Sequence, residues 1–109
     1  MNDQIVLIVR LRVEKNARNV IRDSLIELFG RIRDEDNFVS AILHEDLEDA
    51  EQLLVYEVWR ETRESFVANQ LSKAYRAKYE ELILERRVQR TPQWLKCVGS
   101  WNSKNCAMT

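Results

Sequence analysis

The chain of 109 residues is poor in the residues that break or staple a backbone: two glycines, one proline and two cysteines. So little Gly and Pro excludes collagen-like and low-complexity classes. Cys97 and Cys106 form neither a CxxC pair nor a disulfide framework, and such cysteine usage points to a reduced, cytoplasmic setting. His44 is the only histidine, and one His with two distant Cys falls short of any metal-ligand pattern, so no metal is expected. Gly30 and Gly99 are too far apart to build a phosphate-cradling loop. Neither sign of charge dominates: 17 basic residues face 18 acidic ones, which argues against a nucleic-acid partner. Long apolar runs are missing too. The longest, residues 5–9, is far short of a membrane span, and no leader pattern precedes it. What is present is 45% hydrophobic and 32% charged residues, the balance of a globular domain and too apolar for intrinsic disorder. The length suits a single domain, read here as residues 1–103, followed by a small polar tail, 104–109.

Residues 4–13 (QIVLIVRLRV) have apolar side chains at every odd position from Ile5 to Val13, with Arg10 and Arg12 among the even ones. This is a strand buried on both faces at its start and on one face at its end. Asn16 offers a helix cap, and Val20, Ile21, Leu25, Leu28, Phe29 and Ile32 then form one apolar stripe along a helix at 17–33. Residues 38–45 and 53–60 read as strands joined by the polar loop 47–52, an antiparallel hairpin. Thr62 caps a helical piece at 63–70 anchored by Phe66 and Val67. Ser72 looks like the cap of a second piece at 73–87 anchored by Tyr75, Tyr79, Leu82 and Ile83. Pro92 ends the helical region or opens the next loop, and residues 94–101 read as the last strand, where Gly99 could form a bulge. The order β-α-β-β-α-β is that of an α+β ferredoxin-like fold. Two helices cover one sheet face, and Val6, Ile8 and their neighbours make the other face apolar. A second copy is expected to cover it, giving a homodimer.

Chemistry-bearing residues are few. His44, near the end of the second strand, could accept a proton near neutrality, or simply sit half-exposed on the strand; alternation puts it on the face of Phe38, Ser40 and Ile42. Tyr56, Trp59, Tyr75 and Tyr79 could line a pocket for a flat phenolic ligand, or be core. Tyr56 and Trp59 differ in parity and face opposite sides of the sheet. Glu57 lies between Val55 and Val58 and needs a partner, which Arg10 or Arg12 on the neighbouring strand could supply. Asn69, at the helix break, could hydrogen-bond a ligand or close the first helical piece. The charges between Lys73 and Arg90, with Glu80, Glu81 and Glu85, read as a solvated helix face.

The stretch 54–83, LVYEVWRETRESFVANQLSKAYRAKYEELI, resembles the antibiotic-biosynthesis-monooxygenase domain family. The pieces that carry the likeness are YEVW at 56–59, Phe66 early in the next helix and the restart at Ser72. The first strand and the helix near Asn16 also fit, so the resemblance spans residues 4–101. It implies a dimeric α+β barrel, in which two four-stranded sheets close on each other, with a pocket in each subunit between sheet and helices. It also implies a cofactor-free monooxygenase acting with O₂ on a small planar phenol or quinol, although relatives also degrade haem or act on small signalling molecules. On that resemblance Asn69 and His44 are the candidate catalytic residues, and Phe66, Trp59, Tyr75 and Tyr79 the candidate substrate-binding ones. Where many members carry histidines around the helix break, this chain has Asn69 and Ala74. The residues that mark the haem-degrading branch fall at Val9, Asn69 and Tyr79, and none of the three is kept. The alternative is a non-catalytic ligand- or partner-binding dimer on the same fold. A cavity of about 300 Å³ or more favours a ligand, and one filled by Tyr75, Tyr79 and Phe66 favours the non-catalytic reading. A third option is an isomerase or another small-metabolite enzyme on this scaffold.

Overall fold

The Val, Ile and Leu that crowd the first strand suit a position with neighbours on both sides. In the computed structural model, which describes residues 4–104, β1 (Ile5–Arg12) runs through the middle of a four-stranded sheet. It pairs antiparallel with β3 (Gln52–Trp59) on one side and β4 (Gln89–Leu95) on the other, and β2 (Phe38–Glu45) flanks β3. The sheet order β2-β3-β1-β4 with its helices is an α+β ferredoxin-like fold.

Alternation decides which side chains meet the helices. Leu7 and Leu11 of β1 share a face with Leu53, Val55, Glu57 and Trp59 of β3, all buried. Ile8, Arg10 and Arg12 share the opposite, open face with Tyr56, Leu54 and Gln52. On the covered face lies α1 (Arg18–Ile32), which buries Ile21, Leu25, Leu28 and Ile32 at the helical period. Each such side chain contributes roughly 1.5–3 kcal/mol by leaving water. Asn16 does not cap this helix. It sits inside a 3₁₀ turn, Lys15–Ala17, and Ala17 takes the cap position without a side-chain bond.

Thr62 does cap α2 (Arg63–Asn69). The Ser65 amide donates to Thr62 Oγ1 at 3.0 Å and the Thr62 amide to Ser65 Oγ at 3.1 Å, a reciprocal capping box. Ser72 works differently from the expected second cap. Its hydroxyl donates back to the Ala68 and Asn69 carbonyls, at 3.3 and 3.4 Å, and so closes the end of α2. The next helical turn begins only at Ala74, as 3₁₀, and continues as α3 (Ala77–Glu85).

Helix α3 ends in a Schellman arrangement: the Val88 amide donates to the Ile83 carbonyl at 3.0 Å and the Arg87 amide to that of Leu84 at 3.2 Å. Arg87 supplies the left-handed residue this requires, with φ 53°. Glycine adopts that conformation without the Cβ clash. Arg87→Gly is therefore expected to stabilise the fold by about 1 kcal/mol, read as a raised urea midpoint with unchanged m-value.

Three expectations are corrected by the sheet. The last strand is Gln89–Leu95, not 94–101, and Pro92 lies within it opposite Val9. An edge strand tolerates proline because one side of its backbone needs no ladder partner. Gly99 lies beyond the strand, where a Cβ would come within 2.6 Å of the Trp101 ring. In β2, Phe38 opposes Trp59 while Ser40 opposes Val58, so Val39 is an extra residue. This bulge turns Phe38 to the helix side and leaves Ser40, Ile42 and His44 on the open face. Among the described residues no helix is long and apolar enough to cross a membrane. Cys97 is exposed; Cys106, with residues 105–109 of the proposed tail, lies outside the described residues.

Candidate functional site

Between the covered sheet face and the helices lies a cavity of about 530 Å³. Its walls are apolar: Leu7, Val9 and Leu11 from β1, Leu25, Leu28 and Phe29 from α1, Phe66 from α2, and Pro92 and Trp94 from β4. The volume exceeds the threshold that separates an open ligand cavity from a filled core and lies in the range of small-molecule sites. Phe66 and Trp94 meet edge to face, with ring centroids 5.4 Å apart. The same stacking continues from Phe66 to Trp59 and from Trp59 to Phe38. Of this row, Phe66 and Trp94 face the cavity, and Trp59 and Phe38 pack behind Phe66.

The polar groups of the cavity are Glu57, Arg76, Tyr79, Glu80 and Arg90. Glu57 is 7% exposed, and its Oε1 accepts a hydrogen bond from Trp59 Nε1 at 2.9 Å. Burial pushes its carboxyl above the ordinary carboxylate range, against the Trp59 bond and the Arg76 charge, which pull it down. Arg10 and Arg12, the expected partners, cannot reach it, because they lie on the other face of the sheet. Arg10 donates to Gln93 and Arg12 to Asp49 and Gln52.

Arg76 Nη1 donates to Gln70 Oε1 at 3.0 Å, and Gln70 is 1% exposed. The Tyr75 hydroxyl lies 3.1 Å from the same oxygen and donates to Glu35 Oε2 at 2.7 Å. A chain of polar contacts thus runs from the cavity to the α1–β2 turn. Burial, then the Glu35 contact, raises the Tyr75 phenol above its usual value. Arg90 forms a two-pronged pair with Glu80, at 2.8 and 2.9 Å, and its guanidinium lies 5.8 Å from the Tyr79 ring centre. The hydrogen bond to Arg90 holds the Glu80 carboxyl low, and burial raises the Tyr79 phenol. The charges of α3 and β4 are largely exposed, as their pattern implies, and the Glu80–Arg90 pair stays about one-third exposed where it lines the cavity.

The candidate residues are dispersed. Phe66 and Tyr79 line the cavity. Trp59 is 1% exposed and touches it through Phe66 and Glu57. Asn69 lies together with Trp59 in a separate polar cleft of about 380 Å³, with its amide 3.5 Å from the buried Glu61. Tyr75 faces a surface groove between α1 and α3. His44 is exposed on the open sheet face, opposite Leu54. Sequence reasoning did not find Arg76, Arg90 and Trp94. For Glu57 the signal existed: its parity matches Val55 and Trp59 and differs from that of Arg10 once strands 1 and 3 are paired. Among the described residues, no three His, Cys, Asp or Glu side chains are grouped to hold a metal ion.

A family model for antibiotic biosynthesis monooxygenases matches residues 4–81. No curated protein matches the chain in sequence. Several solved structures share its fold. A conserved protein of Bacteroides thetaiotaomicron superposes with a TM-score of 0.76 at 20% identity, over 87% of this chain and 98% of its own. A Deinococcus radiodurans protein assigned to the antibiotic biosynthesis monooxygenases gives 0.78 at 15% identity, over 93% and 99%. A variant of SnoaB, a cofactor-independent oxygenase from Streptomyces nogalater, gives 0.78 at 11% identity, also over 93% and 99%.

Proposed function

The chain belongs to the antibiotic biosynthesis monooxygenase family, and on that premise we propose that it is a cofactor-independent monooxygenase oxidising a small planar phenol or quinol in the sheet–helix cavity. One observation carries the reading: an apolar cavity of about 530 Å³ with a single buried carboxylate, Glu57, in its wall. Electron-rich phenols of this kind react with O₂ once they have lost a proton. Glu57 is the base, and Phe66, Trp94 and Tyr79 hold the flat ring and keep water away from the anion.

For a phenol whose keto tautomer carries a ring CH₂, Glu57 first takes one proton from the CH₂. The resulting carbanion gives an electron to O₂, and the radical pair joins to form a carbon–oxygen bond. Glu57 returns its proton to the peroxide. Loss of the second C–H proton and cleavage of the O–O bond then leave a carbonyl and one water. One O₂ is consumed per turnover, and the four electrons come from substrate carbon.

Trp59 acts as a positioning residue for Glu57, and Tyr75 for Arg76 through Gln70. Asn69 serves the neighbouring cleft beside Glu61. The active form is a homodimer, in which the open sheet face with Ile8, Ile42, Tyr56 and His44 meets its counterpart; Ile42 is 53% exposed in the single chain. The test is oxygen-electrode assay against a panel of hydroquinones and hydroxyanthrones. Uptake of one O₂ per carbonyl formed is expected. Aromatic ligands that raise Tm without any O₂ uptake would favour the non-catalytic binder, and neither response would sink both.

A further inference from the structure

The polar cleft of about 380 Å³ lies where the turn before β2, the end of β3 and the end of α2 meet. No residue lines both this cleft and the sheet–helix cavity. Its charged lining is Glu35, Asp36, Glu61 and Lys73, three carboxylates against one ammonium. Lys73 Nζ pairs with Glu35 at 3.4 Å, and Glu35 also accepts from the Tyr75 hydroxyl at 2.7 Å. Asp36 is exposed to solvent. Glu61 is different. It is 7% exposed, yet among the described residues it has no ion pair. Its Oε1 has one contact, the Asn69 amide at 3.5 Å, which is the outer limit of a hydrogen bond, and its Oε2 has none. That free oxygen opens onto the cleft: among the described residues the only side-chain polar atom both sealed and unpartnered is Arg76 Nε. A buried carboxylate without a partner is costly, and a cation placed against it offsets the cost.

We propose that this cleft is a binding site for a small primary amine held as its ammonium, with Glu61 as the anionic anchor and Asn69 beside it. Charge selects the sign of the ligand. With Glu35 matched to Lys73, Glu61 and Asp36 leave the cleft negative, and an anion would add to that charge. Coordination selects an organic cation over a metal ion. Among the described residues no three His, Cys, Asp or Glu side chains are grouped to hold a metal, and calcium or magnesium requires six or more oxygens. An ammonium needs only three acceptors, which Glu61 Oε2, the Asn69 side-chain oxygen and one water supply. Asn69 donates through its nitrogen to Glu61, so its oxygen is the atom left to accept. A quaternary ammonium has no N–H and relies on aromatic faces, whereas Trp59, the aromatic residue of the lining, is 1% exposed. Trp59 and Ala68 give the alkyl part of the amine a small apolar surface.

The test is an NMR titration of the intact protein at neutral pH with propylamine, which is ammonium there, read at the Asn69 side-chain amide and the Trp59 indole N–H. 1-Propanol is the uncharged control of the same length, and tetramethylammonium the cation without N–H. Propylammonium is expected to shift both signals to saturation with a Kd on the order of 1 mM, and both controls to bind at least about 10-fold more weakly. Glu61→Gln is expected to weaken propylammonium binding about 10- to 100-fold, the range of a lost charge-assisted hydrogen bond. Unmoved amide signals of β1 and β3 serve as the check that this variant keeps the fold. Asn69→Ala, at an exposed position, weakens binding about 3- to 10-fold. Glu45→Gln removes an equal charge from an ion pair with Arg18 elsewhere and leaves binding unchanged. No saturable shift, an equal response to either control, or equal affinity in Glu61→Gln and the intact protein would overturn the site. Calcium that shifts the same signals at lower concentration, and only with Glu61 present, would overturn the amine in favour of a metal ion.

Discussion

Glu57→Gln is expected to lower the turnover of a phenolic substrate by about 10²- to 10⁴-fold, the usual contribution of a positioned general base. The replacement keeps the shape of the side chain and a carbonyl oxygen for the Trp59 Nε1 bond, so binding of nitrobenzene serves as the check that the cavity is intact. The pH profile carries the finer test. Burial raises the Glu57 carboxyl more than Trp59 and Arg76 lower it. The base works only when ionised, so kcat/KM of the intact enzyme should fall as pH drops through a value above the ordinary carboxylate range. That limb should vanish in Glu57→Gln. Stability moves in the opposite sense. A group with a raised folded pKa contributes stability that is fully present below its unfolded pKa and is lost as pH rises through the folded one. At neutral pH the intact chain buries a charge that the neutral amide of the variant does not carry. The variant should therefore be at least as stable there, and its advantage should shrink on acidification. Unchanged turnover and an unchanged acid limb would place the base elsewhere.

Trp59→Ala is expected to cost about 3–5 kcal/mol of folding free energy, out of the ~5–15 kcal/mol typical of a single domain. Trp59 is 1% exposed and lies edge to face against both Phe38, at 5.2 Å, and Phe66, at 5.1 Å. Its removal opens a void between β2, β3 and α2 that rigid neighbours cannot fill. For a chain of this size the loss corresponds to a Tm lowered by on the order of 15–25 °C, read by calorimetry. Trp59→Phe separates packing from polarity. It keeps an aromatic ring in the row but deletes the donor to Glu57, which removes one influence that holds the Glu57 carboxyl down. The expected result is a Tm close to that of the intact chain and an acid limb of kcat/KM moved to higher pH. An unmoved limb would show that the indole N–H does not act on the base.

The element order, the antiparallel hairpin and the Thr62 cap are legible because each depends on neighbours in the chain: alternation at period two, a stripe at period 3.6, a hydroxyl three residues before an amide. The failures share a different cause. Alternation puts Phe38 on the face of His44 because it assumes an unbroken strand, and the bulge at Val39 breaks it. Pro92 reads as a terminator until β4 is known to be an edge strand. Arg76 reads as surface charge because local sequence does not say how far a helical turn is rotated about its axis.

The order of residues is thus enough for an α+β ferredoxin-like domain with an apolar sheet face, a capped and broken second helical region, and a family likeness carried by the stretch from Leu54 to Ile83. These follow from periodicity and local hydrogen bonding, which neighbouring residues encode directly. Three-dimensional packing is what turns Glu57 away from Arg10 and Arg12 and brings it into one cavity with Arg76. That outcome depends on strand pairing and helix rotation together, and those are set by the packing of Leu25, Leu28, Phe66 and Ile83 against the sheet. No window along the chain contains those contacts.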